Sequence, residues 1–122
     1  MKNSWFILLV IIFTGCNLSD KSIRLPGGNT YVDEGKCNKF ILVNIEHAGN
    51  IESCVSEYKF DDNFITASQI DENACRDNLP VRNKRFYIID IKKSVLYGPL
   101  SKEDFFKKND ELKVDRELLL SN

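Results

Sequence analysis

A single histidine among 122 residues sets the first limit on what this chain can do. General-base catalysis draws on imidazole more than on any other side chain, and here only His47 can supply one. It follows Glu46 and precedes the turn-like pair Gly49-Asn50, so a solvated loop is its expected setting. No Gly-x-Ser-x-Gly elbow, glycine-rich phosphate loop or His-Glu-x-x-His helix occurs. No Cys-x-x-Cys occurs either. With thiols widely spaced and one imidazole, a zinc site is not expected. No metal, cofactor or catalytic residue is therefore assigned. Nor is there a surplus of positive charge, since 17 basic residues stand against 18 acidic ones. Phosphate binding needs a concentrated basic face, so nucleic acid is not an expected partner. The nearest approach to a patch is Arg82, Lys84 and Arg85, which reads as a solvated loop and strand entry. Internal repeats and low-complexity segments are also lacking.

What is present begins with an address. Lys2 supplies a positive charge, the run from Trp5 to Phe13 is unbroken and apolar, and the small pair Thr14-Gly15 follows. Basic, apolar, small is the order of a secretory signal. The run falls well short of the about 20 helical residues that cross a bilayer, so a stable transmembrane anchor is not the expectation. Phe13-Thr14-Gly15-Cys16 resembles the bacterial lipobox, in which a small residue precedes an obligatory cysteine; Phe13 stands where leucine is usual. Cleavage before Cys16 and lipidation of that cysteine, palmitate included, are what the motif implies. More than one acyl chain makes such an anchor firm, at about 0.8 kcal/mol per buried CH₂. The expected location is the bacterial cell envelope, on the outer side of the inner membrane or in the outer membrane. Removal of residues 1–15 takes away one lysine and no acid, so the mature chain is one charge more negative than the −1 of the whole.

Residues 16–28 read as the lipidated cysteine and a tether closed by Leu25-Pro26-Gly27-Gly28, because proline followed by two glycines favours a turn. A single domain over 29–122 follows. Thr30–Val32 is a brief β-prone stretch, and 39–45 is a denser one. From Cys54 to Phe60 the residues alternate, which places Ser56, Tyr58 and Phe60 on one face and Val55, Glu57 and Lys59 on the other. Asp61-Asp62-Asn63 has turn chemistry and 64–69 returns, predicting a hairpin. After a polar loop from Asp71 to Asn83, residues 85–90 and 95–97 predict a second hairpin around Lys92-Lys93-Ser94, ended by Gly98-Pro99. Ser101 and Asp104 match a capping box, opening a helix to about Lys113 with Phe105, Phe106 and Leu112 toward the sheet. The expected fold is α+β, an antiparallel sheet of five or six strands with one C-terminal helix packed on it.

From Ser53 onward the text is familiar. The alternating strand, Asp61-Asp62, Phe64-Ile65-Thr66-Ala67, Phe86-Tyr87-Ile88-Ile89-Asp90, Val95-Leu96-Tyr97-Gly98-Pro99-Leu100 and the acidic, aromatic helix start together resemble a family of small bacterial lipoproteins of unknown function. Leu25-Pro26-Gly27-Gly28 is similar to that family's opening. The resemblance implies the fold and lipidation, and it carries no activity and no catalytic residues.

Lipidation makes Cys16 a thioether and leaves Cys37, Cys54 and Cys75, an odd number for an exported chain. With all strands in one sheet, Cys37 enters a strand at one end, while Cys54 and Cys75 lie at the other. A Cys54–Cys75 bridge is therefore the favoured pairing, with Cys37 left as a buried thiol or a bridge to a partner. Asp61 and Asp62 point apart at a hairpin tip and lack further ligands at calcium-binding spacing. Tyr58, Tyr87, Tyr97 and Phe86 offer either an aromatic recognition face or half-buried sheet packing, and the second is favoured. Functionally the expectation is a non-enzymatic interaction or binding module held to the membrane by its N-terminal lipid, with an envelope protein as partner. The rivals are a small envelope enzyme using His47 or Cys37, which needs His47 and Glu46 in a cleft, and an inhibitor or immunity-like protein.

Overall fold

The computed structural model describes residues 21–121. The expected signal sequence, Cys16 and the start of the expected tether lie outside the described residues. Seven strands and two helices follow: β1 (Lys21–Arg24), β2 (Thr30–Asp33), β3 (Lys39–Leu42), β4 (Val55–Phe60), β5 (Phe64–Gln69), α1 (Glu72–Arg76), β6 (Arg85–Asp90), β7 (Val95–Leu100) and α2 (Lys102–Leu112). The strands form two antiparallel sheets, β1-β2-β3 and β4-β5-β6-β7, in place of the single sheet of five or six strands expected from the sequence.

The reason lies in β5 and β6. Ile65, Ala67, Tyr87 and Ile89 are buried on one face of the four-stranded sheet, while Phe86 and Ile88 are buried on the other. A sheet apolar on both faces needs a layer on each, and one helix covers only one. The three-stranded sheet is the second layer, contributing Tyr31 and Ile41, with Leu25 and Ile51 beside them. Ile41 and Ile51 join it through a reciprocal pair of backbone hydrogen bonds at 2.9 and 3.0 Å. Residues read as tether thus belong to the fold: β1 pairs with β2, and Leu25 is buried. All four β1 side chains are exposed, so no alternation marks it in the sequence.

Both expected hairpins form. The Asp61 carboxylate accepts from the amides of Asn63 and Phe64, each at 2.8 Å, which is the turn chemistry that Asp-Asp-Asn offers. Two register shifts depart from the simple reading. Between Val55 and Glu57 a bulge rotates β4, so Val55 joins Tyr58 in the inter-sheet core, and the Ser56 hydroxyl lies 2.8 Å from that of Ser68. Opposite Tyr87 a second bulge lets β7 continue through Gly98 and Pro99 to Leu100 rather than ending there. Proline is tolerated because β7 is an edge strand. Only glycine fits beside it: φ is +137°, and a Cβ at Gly98 would lie 2.5 Å from the Tyr87 ring.

The Ser101 hydroxyl accepts from the Asp104 amide at 3.1 Å and opens α2, which ends at Lys113 in the left-handed conformation. Phe105 is fully buried and stacks on Phe86 with centroids 4.7 Å apart. The inward stripe is Phe105, Asn109 and Leu112, spaced four and three residues apart as helix periodicity requires. Phe106, expected to face the sheet, falls off that stripe and is exposed. Beyond α2 the chain is strapped over the same face. Thr66 donates to the Leu118 carbonyl at 2.7 Å, Lys59 to the Leu119 carbonyl at 2.9 Å, and Glu57 accepts from the Ser121 amide and hydroxyl.

Candidate functional site

The segment between β5 and β6 projects from the end of the four-stranded sheet and is held at its base by a polar network. Gln69 is buried in it: its Nε2 donates to the Glu52 carbonyl at 2.7 Å, and its Oε1 accepts from Arg85 at 2.7 Å and from the Tyr87 hydroxyl at 3.0 Å. Arg85 also donates to Asp71 at 3.0 Å, fixing the start of α1. Above this base, Leu79 and Val81 are half exposed, as apolar side chains with little to cover them.

Two grooves flank the segment. One, of about 600 Å³, runs along α1 and carries both signs of charge, with Asp71, Glu72, Arg76 and Arg82 in its walls. The other, of about 440 Å³, is lined by Ser56, Ile70, Val81, Arg82, Lys84, Phe86 and Lys102, three cations on apolar walls with no carboxylate. Lys84 is held there, since its Nζ donates to the Ser121 carbonyl at 2.9 Å and lies 5.7 Å from the centre of the Phe86 ring. Lys84 is half-buried, where charge is screened less than on open surface, while Arg82 and Lys102 are exposed. Such a groove suits an anionic segment that also carries an apolar side chain. The sequence reads Arg82, Lys84 and Arg85 as a solvated loop and strand entry, and Arg85 does open β6. The Arg85 side chain is spent on the internal network, and the third cation of the groove is Lys102, on α2, which no local pattern links to Arg82 and Lys84.

The cysteines depart from expectation. Cys37 and Cys75 form the disulfide, with Cα atoms 5.8 Å apart, and Cys54 is a buried free thiol. The favoured Cys54–Cys75 pairing assumed one sheet, in which Cys37 would lie at the far end. Because β2 and β3 belong to a second layer, the turn that carries Cys37 is brought over α1, which carries Cys75, while Cys54 turns inward. The bridge therefore fastens one layer to the other. All three sulfurs lie within 4.8 Å of one another. Burial pushes the Cys54 thiol pKa up, opposed in part by the positive charge of Lys39.

His47 stands apart from all of this. Its side chain is 90% exposed, its backbone is left-handed at φ +66°, and its Nε2 lies 3.5 Å from an equally exposed Glu46 carboxylate. The pair lines none of the grooves described above. The aromatics are mostly packing: Tyr58 stacks on Tyr31 at 4.3 Å, and Tyr87 is buried. Asp61 is occupied by its own turn amides.

Compared with known proteins, residues 30–122 match a family model described as a protein of unknown function (DUF3997). No curated protein and no solved structure matches the chain.

Proposed function

This chain belongs to the DUF3997 family of proteins of unknown function, and from that premise we propose that it is a lipid-anchored, non-enzymatic binding module of the bacterial cell envelope. Its attachment is the lipid on Cys16, and its contact surface is the cationic groove between β4, the 79–86 segment and the start of α2. The observation that carries this reading is the groove's lining, in which Arg82, Lys84 and Lys102 converge on Val81, Ile70 and Phe86 without an opposing carboxylate. No helix among the described residues is long and apolar enough to cross a membrane. In this reading the signal sequence exports the chain, the few residues after Cys16 space the domain from the bilayer, and a second envelope protein docks an acidic, apolar-tipped segment. Unmatched cations at such a site favour an acidic partner and repel basic ones, which gives selectivity as well as a faster encounter.

The test is site-specific photo-crosslinking in cells with the full, lipidated chain. A photoreactive residue in place of Val81 is expected to give an adduct of one defined mass, and the same residue in place of Phe60, which is exposed elsewhere on β4, is expected to give none. Combining Arg82→Glu with Lys102→Glu reverses two charges while leaving the Lys84–Ser121 tie intact, and is expected to cut the adduct about tenfold or more. Cys16→Ser removes the anchor and with it the adduct. Adducts of equal yield from both positions, or insensitive to charge reversal, would show that the groove is not the contact surface.

A further inference from the structure

Three sulfurs from three separate segments meet where the two layers are fastened together. Cys37 comes from the β2–β3 turn, Cys54 from the residue before β4 and Cys75 from α1, and all three Sγ atoms lie within 4.8 Å of one another. Two of them close a bridge, and the third is a buried thiol that the bridge does not use. We propose that reduction of the Cys37–Cys75 bridge by a dithiol turns this cluster into a three-thiolate site for one thiophilic divalent cation, with Zn²⁺ as the test ion.

The size is right. A zinc–sulfur bond is about 2.3 Å, so three sulfurs around one ion stand about 3.8–4.0 Å apart. Cys54 needs to move by about an ångström or less to satisfy that spacing, and the two bridge sulfurs need only separate once their bond is gone. The redox step balances: the dithiol gives two electrons and two protons to the bridge, becomes a cyclic disulfide, and leaves two thiols. Zinc then displaces three thiol protons to solvent, as thiolate coordination demands.

The surroundings suit the product. Lys39 places positive charge near Cys54, where it offsets the negative charge of a trithiolate complex. A groove of about 460 Å³, lined by Glu34, Cys37, Asn38, Glu72 and Arg76, opens beside the bridge and gives reductant and ion a way in.

The experiment uses the purified full chain, reduced with a phosphine, which takes its oxygen from water and does not compete for zinc. Zn²⁺ is titrated against a chromophoric chelator, with Co²⁺ as a second ion whose thiolate charge-transfer intensity counts the sulfurs bound. One ion per reduced chain is expected, and none at the same concentrations with the bridge intact. Cys54→Ala is expected to weaken binding by more than about a hundredfold while still forming the Cys37–Cys75 bridge under oxidising conditions, which shows that the variant folds. Equal affinity in Cys54→Ala and the natural chain overturns the proposal, as does absence of zinc binding to the reduced, folded chain. If reduction alone loosens the domain, zinc that restores the near-ultraviolet signal of the packed aromatics supports the site. Zinc that leaves that signal lost overturns it.

Discussion

The two faces of the four-stranded sheet are built by different rules. Toward the three-stranded sheet the contact is almost wholly apolar: Ile41, Ile51, Val55, Ile65, Ala67 and Ile89 close around Tyr31 and Tyr87. Toward α2 the apolar cluster is smaller, Phe86, Ile88, Phe105 and Leu120, and much of the cover is backbone hydrogen-bonded to side chains, as at Thr66 and Lys59. One face derives its strength from area removed from water, which is not directional. The other relies on a strap whose position is fixed by a few polar contacts. The candidate groove lies at the edge of the second face, where cover is incomplete, and the sulfur cluster at the edge of the first, where a covalent tie closes the layers. Each prediction below separates the two faces by size or sign of effect.

The largest effect should come from the covalent tie. Replacing Cys37 and Cys75 together with serine reopens a loop whose ends are 38 positions apart, and the loss expected from chain entropy is about 4 kcal/mol. Denaturant unfolding of the double variant against the natural chain measures it. A loss under about 1 kcal/mol would mean that the layers hold without the tie and that the entropic account fails here.

Next is the inter-sheet core itself. Ile41 is fully buried between the layers, and Ile41→Ala should cost about 3–4 kcal/mol, transfer and cavity terms together. Leu120, on the strap, is also buried, but its segment is held by a few side-chain bonds and not by a sheet ladder, so the backbone can settle further into the gap. Leu120→Ala should therefore fall at the low end of the same range, about 2 kcal/mol. Equal costs at the two positions would erase the distinction between the faces.

A third effect is confined to alkaline solution and belongs to the inter-sheet face alone. Tyr31, Tyr58 and Tyr87 all have pKa values pushed above the ordinary 10.0, chiefly by burial, with Asp33 adding to the shift at Tyr31 and Tyr58 and Arg85 opposing it at Tyr87. A raised folded pKa means that the unfolded chain loses these protons first. Stability is therefore full below pH 10 and falls as pH rises from there through the folded values. Replacing all three with phenylalanine should flatten the alkaline limb of a stability–pH profile.

Much of this architecture is legible in the sequence wherever a feature is local. Asp61-Asp62-Asn63 announces its hairpin, and Ser101 announces the start of α2, because each depends on bonds within a few residues. Bulges are not legible in this way, since the shift at Ser56 and the one opposite Tyr87 are set by what the partner strand presents. β1 is silent because Lys-Ser-Ile-Arg is exposed at every position and is a strand only through its bonds to β2. The groove and the sulfur cluster are assembled from three distant segments each, so the sequence holds their members without their adjacency. A single sheet would put Cys54 beside Cys75, whereas the second layer brings Cys37 there.

The smallest predicted effect carries the opposite sign and tests the helix face at its weakest point. Asn109 sits on the inward stripe of α2, one turn after Phe105, and is only 4% exposed. Neither its Nδ2 nor its Oδ1 has a hydrogen-bond partner among the described residues. An amide removed from water without replacement bonds destabilises the folded state by about 1–3 kcal/mol, and leucine branches at the same carbon and is a better helix former, though bulkier. Asn109→Leu should therefore stabilise the domain by about 1 kcal/mol, part of the gain being lost to the change in side-chain shape. On the inter-sheet face the comparable buried amide is Gln69, whose carbonyl oxygen and nitrogen are both bonded, and Gln69→Leu should destabilise by leaving Arg85, Tyr87 and the Glu52 carbonyl without their partner. Thermal unfolding of the two variants side by side gives the answer by sign alone. A gain at Asn109 with a loss at Gln69 shows that polar groups are completed on one face and tolerated unpaired on the other. A loss at Asn109 would mean that the amide has bonding partners in solution, and the helix face would then be as fully specified as the sheet it covers.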